Sequence, residues 1–384
     1  MTNNILPRGY KDSPLGIIPK EWEVKRILDF APLQRGFDLP TDKIISGKYP
    51  VVYSNGILNH HCECKAKGPG VVTGRSGTIG KVTYVESDYW PHNTSLWVTD
   101  FCGNNPKFVF HVYQYIDLAK FASGSGVPTL NRNDVHVSKV AVPPKQEQNR
   151  IVEVLELWDT AIEKQSELIE KFKLRKRALM QQLLTGKKRL PGFSGEWKRI
   201  KAGDIFMSSS VRGKRSEVLL SATQEHGVIP RDQLEGRVTM PTGNLESFKL
   251  VEVGDFVISL RSFQGGIEYS EHRGIVSPAY TVLKPVKEID KSFYRFYFKS
   301  TDFIGHLAIA VIGIRDGKQI SYEDFCFVKI PYPRIEEQKA ISAILIQAEK
   351  EIELANEKLI CLQSQKRGLM QQLLTGKIRT TNFE

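Results

Sequence analysis

The nine residues LMQQLLTGK stand at Leu179–Lys187 and again, letter for letter, at Leu369–Lys377, 190 positions apart. A repeat of this kind constrains the fold more than composition does, because whatever packs around the phrase must exist twice. At the same offset, Glu147-Gln148 falls on Glu337-Gln338, Ile151 on Ile341, Leu155 on Leu345, and Ile162-Glu163 on Ile352-Glu353. Apolar positions step by four and three through Ile151, Leu155, Trp158, Ile162, Ile169, Phe172, Leu179 and Leu183. The second copy steps through Ile341, Leu345, Ala348, Ile352, Leu359, Leu362, Leu369 and Leu373. Such a heptad seam predicts one long helix per copy. Pro143-Pro144 and Pro331/Pro333 mark the starts, and Gly186 and Gly376 suit left-handed C-terminal caps. Gln165 and Lys176, matched by Ala355 and Lys366, interrupt the apolar stripe. Polar seam residues of this type can set register at a cost in stability.

A Trp-led segment precedes each helix, Ile18–Phe30 around Trp22 and Pro191–Phe206 around Trp197. Further on, Gly70–Gly77 resembles Phe256–Phe263, which places Arg75-Ser76 over Arg261-Ser262. Thr129–Val135 meets Gln319–Phe325 at the same offset of 190. The layout is therefore unit, long helix, unit, long helix. Short apolar runs at 70–73, 81–85, 96–98, 255–260 and 280–283 read as strands, and Phe108–Ala122 and Phe293–Ala310 read as helices. Each unit is α/β or α+β. A helix of this length spans on the order of 55 Å, whereas a unit of about 145 residues is roughly 38 Å across. A parallel helix pair would force the second unit to carry the chain back farther than it is wide. Antiparallel packing is expected instead, with a pseudo-twofold relation between the copies.

The 54 Lys+Arg against 43 Asp+Glu leave a net charge of +11, a surplus that favours a polyanionic partner such as nucleic acid. Five scattered cysteines, Cys62, Cys64, Cys102, Cys326 and Cys361, point to a reducing compartment rather than a disulfide framework. With no signal-like start and no long apolar run, a cytoplasmic protein is expected. Gly74–Val82 approaches a phosphate-binding loop but has five residues between Gly74 and Gly80, and Val82 where a hydroxyl is needed. His60, His61, Cys62 and Cys64 form one crowded cluster without the second ligand pair of a structural zinc site. No catalytic, cofactor or metal site is expected in the chain.

Basic and amide groups beside aromatics remain as the candidate chemistry. Arg75, Ser76, Lys81, Asn93, Asn131 and Arg132 in the first unit, and Arg261, Ser262, Arg273, Tyr280, Arg315, Lys318 and Gln319 in the second, fall in expected turns and strand edges. Arginine suits guanine edges, Asn and Gln suit adenine, and lysine suits phosphate.

The constellation of two Trp-led units, each followed by an EQ turn, a long helix and LMQQLLTGK, resembles the specificity subunit of type I restriction-modification enzymes across essentially the whole chain. Further motifs carrying the resemblance are Gly124–Val135 and Pro143–Leu155. It implies a non-catalytic subunit of a DNA adenine methyltransferase and endonuclease complex. Two target recognition domains, residues 1–145 and 191–333, would each read half of a split double-stranded DNA sequence. Two conserved helices, 146–190 and 334–384, would act as spacer and dock two modification subunits. The candidate seam and docking positions are Ile151, Leu155, Ile162, Leu179, Leu183, Ile341, Leu345, Ile352, Leu369 and Leu373. S-adenosylmethionine would sit in the modification subunits, and ATP and Mg²⁺ in the motor (restriction) subunits. The competing expectation is a coiled-coil scaffold joining two protein-binding domains without nucleic acid.

The unit interiors differ in length, Trp22 to Gln148 spanning 126 positions and Trp197 to Gln338 spanning 141. Unlike interiors in a shared frame are what two unlike half-sites require.

Overall fold

A computed structural model describes residues 6–124, 128–214, 216–234, 245–311 and 320–380. The chain forms two compact units, the first from 1–166 and 358–384, the second from 167–357. Each unit therefore holds the opening part of one long helix and the closing part of the other. The long helices, Lys145–Leu183 and Ile335–Leu374, are 39 and 40 residues long. In the first unit they run antiparallel, since Lys366 Nζ donates to Asp159 Oδ1 at 2.5 Å while Arg379 reaches back to Glu147. In the second unit they do the same, with Lys176 Nζ on Glu349 Oε1 at 2.5 Å and Arg189 on Glu337.

Both interruptions of the apolar seam now have a physical account. Gln165 and Ala355 are buried at 6% exposure each, so they continue the stripe. Lys176 and Lys366 lie at equivalent places and each pairs with an acid of the facing helix. Sliding either helix by one residue would separate these charges, which is how polar seam groups fix register.

The cores repeat as well. In the first unit a four-stranded antiparallel sheet runs in the order Leu33–Arg35, Ser95–Val98, Gly70–Gly74, Val82–Val85. In the second the order is Phe206–Ser209, Thr281–Pro285, Phe256–Ile258, Glu268–Tyr269. A separate two-stranded pair joins Glu23–Arg26 to Lys139–Val142, and its counterpart joins Lys198–Lys201 to Lys329–Tyr332. Helices Pro106–Tyr115 and Lys291–Tyr297 start on Asn105 and Asp290, whose side chains accept from backbone N–H groups of the first turn.

Register shows where the length difference enters. Val72 lies between Trp97 and Thr83, and Val257 between Val282 and Glu268. The offset between counterparts is 175 at the tryptophans and in the first strand of this sheet, where Gln34 matches Ser209, 185 through its other strands and the Asn105/Asp290 caps, and 190 from Asn131/Ser321 onward. Ten extra residues thus precede Phe256, and five more lie between Asp290 and Ser321. The same register corrects one expected equivalence. Arg75 stands level with Leu260, and Ser76 with Arg261, one residue away from the alignment by letters.

Two helix expectations also change. The first stops at Tyr115, where Ile116 is extended, and resumes only as a short 3-10 turn over Leu118–Phe121. The second breaks into Lys291–Tyr297 and Thr301–Val311, because Ser300 accepts from the Phe303 N–H at 3.2 Å and starts a new helix.

The repeated phrase closes each unit through one clasp. In the first, the fully buried Trp22 donates from Nε1 to Glu147 Oε2 at 2.8 Å, and Arg379 grips both oxygens of Glu147 at 2.7 and 3.0 Å. In the second, Trp197 donates to Glu337 Oε2 at 2.9 Å, and Arg189 grips both oxygens at 2.7 Å. Beside each glutamate, Gln148 Oε1 accepts from Asn105 N–H at 2.9 Å and Gln338 Oε1 from Asp290 N–H at 2.8 Å. The EQ pair thus binds the Trp-led strand, the start of a core helix and the far end of the other long helix. Gly376 and Gly186 end the helices at φ +70° and +72°, and a Cβ there would meet Pro19 and Trp22 in one case and Trp197 in the other. Below the clasp, Met370, Leu373 and Leu374 enter the first core, and Leu183 and Leu184 the second. Each buried leucine contributes roughly 1.5–3 kcal/mol.

Glu147→Gln and Glu337→Gln are expected to cost about 3 kcal/mol each, somewhat less at Glu147 because Arg379 keeps Glu21, since each removes the buried charge that a largely buried arginine grips with both its N–H groups. Matching losses in denaturant unfolding would bear this out, and a loss below about 1 kcal/mol at both would count against it. His111 is buried, which pushes its imidazole down to about 4, helped by the nearby Lys366 charge. The unfolded chain takes that proton near pH 6.5 and the folded unit refuses it, so this contribution is intact above about 6.5 and declines toward pH 4, by up to about 1.4 kcal/mol per pH unit. Phe296 holds the equivalent place in the second unit. His111→Phe should flatten the fall in melting temperature between pH 7 and 5 relative to the parent; an unchanged slope would refute the assignment.

Candidate nucleic-acid interface

In the first unit, three of the expected residues converge. Arg75, Asn131 and Arg132 line an open groove of about 580 Å³ together with Gln34, Arg35, Phe37 and Asp38. The backbone under Arg75 is held on both edges. Its N–H donates to Thr94 O at 2.9 Å, its carbonyl accepts from Leu130 N–H at 2.7 Å, and Ser76 forms a bridge with Thr129. Gly74, just before it, lets the chain turn tightly, since a Cβ there would overlap the Thr78 carbonyl. The half-buried guanidinium makes one weak contact, Nη1 to Asn93 O at 3.5 Å, and no carboxylate pairs with it among the described residues. Arg35 differs, being paired with Asp38 at 3.3 Å.

Asn131 caps the helix Arg132–His136 by accepting from Asn133 N–H at 3.0 Å, which leaves Arg132 exposed at the groove's rim. Asn93 is bonded through Nδ2 to Asp38 Oδ1 and so braces the groove wall. Lys81 lies elsewhere: its Nζ donates to Asn55 O at 2.5 Å, and it lines a separate pocket with Gln363, Lys366 and Arg367.

The second unit does not repeat this chemistry. At the register-equivalent places stand Ser209, Leu260, Ser321 and Tyr322 in place of Gln34, Arg75, Asn131 and Arg132. Arg261 is exposed and opens the one-turn helix Ser262–Gly265. Ser262 is buried, and its Oγ accepts from Ser259 N–H at 2.8 Å, so it holds the turn rather than facing a ligand. Arg273 is committed to Glu217 and Glu252, with contacts from 2.9 to 3.0 Å, and acts within the unit. Tyr280 accepts through its carbonyl from Lys249 Nζ at 2.6 Å. Arg315, Lys318 and Gln319 lie outside the described residues.

Gln34, Arg35 and Phe37 were not singled out from the sequence. The run Leu33–Phe37, an amide and a guanidinium before a glycine and an aromatic ring, is the signal that would have found them.

On the helices, the expected seam and docking positions lie largely inside the pair. Ile151, Leu155, Leu183, Ile341, Leu345 and Leu373 are buried, and Ile162, Leu179, Ile352 and Leu369 are half-buried. They hold the pair together and offer little to a partner. Other identical residues are exposed in both copies: Glu163/Glu353, Glu167/Glu357, Arg177/Arg367, Gln181/Gln371, Gln182/Gln372 and Lys187/Lys377. Packing does not demand identity at exposed sites. Among the described residues, no group of three or more His, Cys, Asp or Glu could hold a metal, and no helix is long and apolar enough to cross a membrane.

The model of one protein family, described as Type I restriction modification DNA specificity domain, matches residues 19–171 and again 195–363. The putative MjaX specificity subunit of Methanocaldococcus jannaschii is 23% identical, with 96% of each chain covered. The MjaVIII specificity subunit of the same organism is 26% identical over 68% of this chain and 67% of its own. Among solved structures, the type I restriction-modification S subunit of M. genitalium aligns with a TM-score of 0.54 at 16% identity, over 92% of this chain and 96% of the other. A chain from work on complex assembly and conformational transition of the type I system aligns at 0.58 and 16% identity, over 94% and 99%. At these identities the structural matches speak for the fold.

Proposed function

The chain belongs to the type I restriction-modification DNA specificity family, and on that premise we propose that it reads a two-part DNA target, one unit to each half. The observation that carries this is an asymmetry in what is repeated. The clasp recurs residue for residue and the seam and register charges recur position for position, whereas the sheet positions equivalent to the first unit's groove carry unlike side chains. A twofold frame with unlike readers suits two unlike half-sites separated by base pairs that are not read. Recognition of DNA is the family's role, and the chain is a non-catalytic specificity subunit. The scaffold alternative is set aside for that reason.

The exposed identical residues of the two helices, led by Arg177 and Arg367, form the docking surface for two copies of a modification subunit. A partner that binds twice needs its contacts written twice. In this reading S-adenosylmethionine belongs to those subunits, and ATP and Mg²⁺ to the motor (restriction) subunits. The basic surplus of +11 supplies the sequence-independent attraction to phosphate.

The purified complex is expected to bind one bipartite duplex, with affinity falling steeply as salt rises and lost when either half is scrambled. Equal affinity for scrambled duplexes in a fluorescence titration would overturn the reading. Docking is tested separately by native mass spectrometry. Arg177→Glu should leave one modification subunit bound and Arg177→Glu/Arg367→Glu none. Full occupancy in the double variant would remove these residues from the surface.

A further inference from the structure

Resting on the bipartite reading above, we infer that the half-site taken by the first unit contains a guanine held by Arg75, and that the second unit makes no such contact from its equivalent position, Leu260. Other arginines of the first unit are spent within it: Arg26 on Asp29, Arg35 on Asp38, and Arg379 on Glu147 and Glu21. Arg75 is not. Its backbone is fastened on both edges, its side chain is half-buried, and its single contact is at the limit of a hydrogen bond. A guanidinium carried on a backbone fastened this firmly, with one weak acceptor and no carboxylate, is arranged for a ligand that supplies two.

Phosphate and guanine both offer paired acceptors, and the groove discriminates between them. Asp38 lines it, on the same wall as Asn93 and Arg35, and a carboxylate beside the arginine offers acceptor oxygens that a phosphodiester, which carries no donor, cannot use. The major-groove edge of a G·C pair presents O6 and N7 as acceptors to an arginine, and the cytosine amine as a donor beside them. That pattern matches an arginine with an acid and amides at its side. At the same level of the second sheet the chain has Leu260, with Ser209, Ser321 and Tyr322 around the equivalent position. None of these side chains offers the paired donors of an arginine.

The test uses the full chain assembled with its modification subunits and the duplex identified by mapping methylated adenines. Guanines in each half are replaced one at a time by 7-deazaguanine, which lacks the N7 acceptor. One such replacement in the first unit's half should weaken binding about ten- to a hundredfold, the scale of a lost bidentate base contact. Arg75→Ala should weaken binding to a similar extent, identify which half the first unit reads, and abolish the sensitivity to that 7-deazaguanine. Arg75→Lys, which keeps the charge, should bind scrambled DNA as the parent does yet still fail to distinguish guanine from its analogue. The inference is overturned if that half contains no guanine, if Arg75→Ala stays sensitive to every analogue, or if Arg75→Ala weakens scrambled and cognate duplexes alike, the mark of a phosphate contact. A parent complex with no sequence preference would instead overturn the bipartite reading, and this inference with it.

Discussion

The structure depends on a buried carboxylate held between an indole and a guanidinium. Glu147 and Glu337 are 3% and 1% exposed, and each would be a destabilising buried charge if either partner withdrew. Their arginines come from just beyond the end of a long helix, and their tryptophans from the start of a unit. One ionic interaction therefore joins segments 232 residues apart in the first unit and 148 in the second. The neighbouring glutamine adds a second tie, to the core helix. Leucines alone would close the same cores, but apolar contacts are tolerant of small shifts. The charge-assisted bonds are directional, and they fix where each helix must stop.

This explains why so short a phrase is kept while its surroundings diverge. Leu369–Lys377 must fit a pocket made of Trp22, Pro19 and Glu147, and Leu179–Lys187 one made of Trp197 and Glu337. The pockets share the tryptophan and the glutamate, so the inserts are the same, down to a glycine that has to adopt positive φ and lie against a tryptophan. Between these fixed points the register needs only that strands keep their neighbours. Ten residues were accommodated before Phe256 and five before Ser321 without a change of sheet order.

Much of this frame was legible because periodicity and repetition report on burial directly. The helices, their glycine caps, their opposed direction and the main strands all follow from apolar spacing and from residues with few conformational options. Sheet order was not legible, since pairing partners lie far apart in sequence and alternating apolar runs do not name their neighbours. Pairing by letters also placed Arg75 over Arg261, where counting on from the last matched ladder residues, Thr73 and Ile258, puts it over Leu260. Identity in a short motif is weak evidence once the turn beyond a strand is remodelled, here into a one-turn helix whose Ser262 faces inward. The partners of Arg273 and Asn93 were not legible for another reason. A polar side chain expected on a strand edge gives no sign in sequence of an acid 21 or 55 positions away that already holds it. The buried role of Glu147 was invisible for the same cause.

The division between frame and reader has an energetic basis. A groove residue that must meet a base cannot also be satisfied inside its own unit, so a reading position contributes little to stability or is slightly strained. Arg75, fastened in backbone and unpaired in side chain, has that character. Such positions are tolerable only if stability comes from elsewhere, and here it comes from the clasps and the helix seam, which do not touch the groove. Because the two roles rest on separate residues, the groove can change its chemistry while the clasp, and with it the repeated helix surface, stays as it is. Unlike side chains at equivalent places on like frames are the expected outcome of that separation, and they are what the two units display.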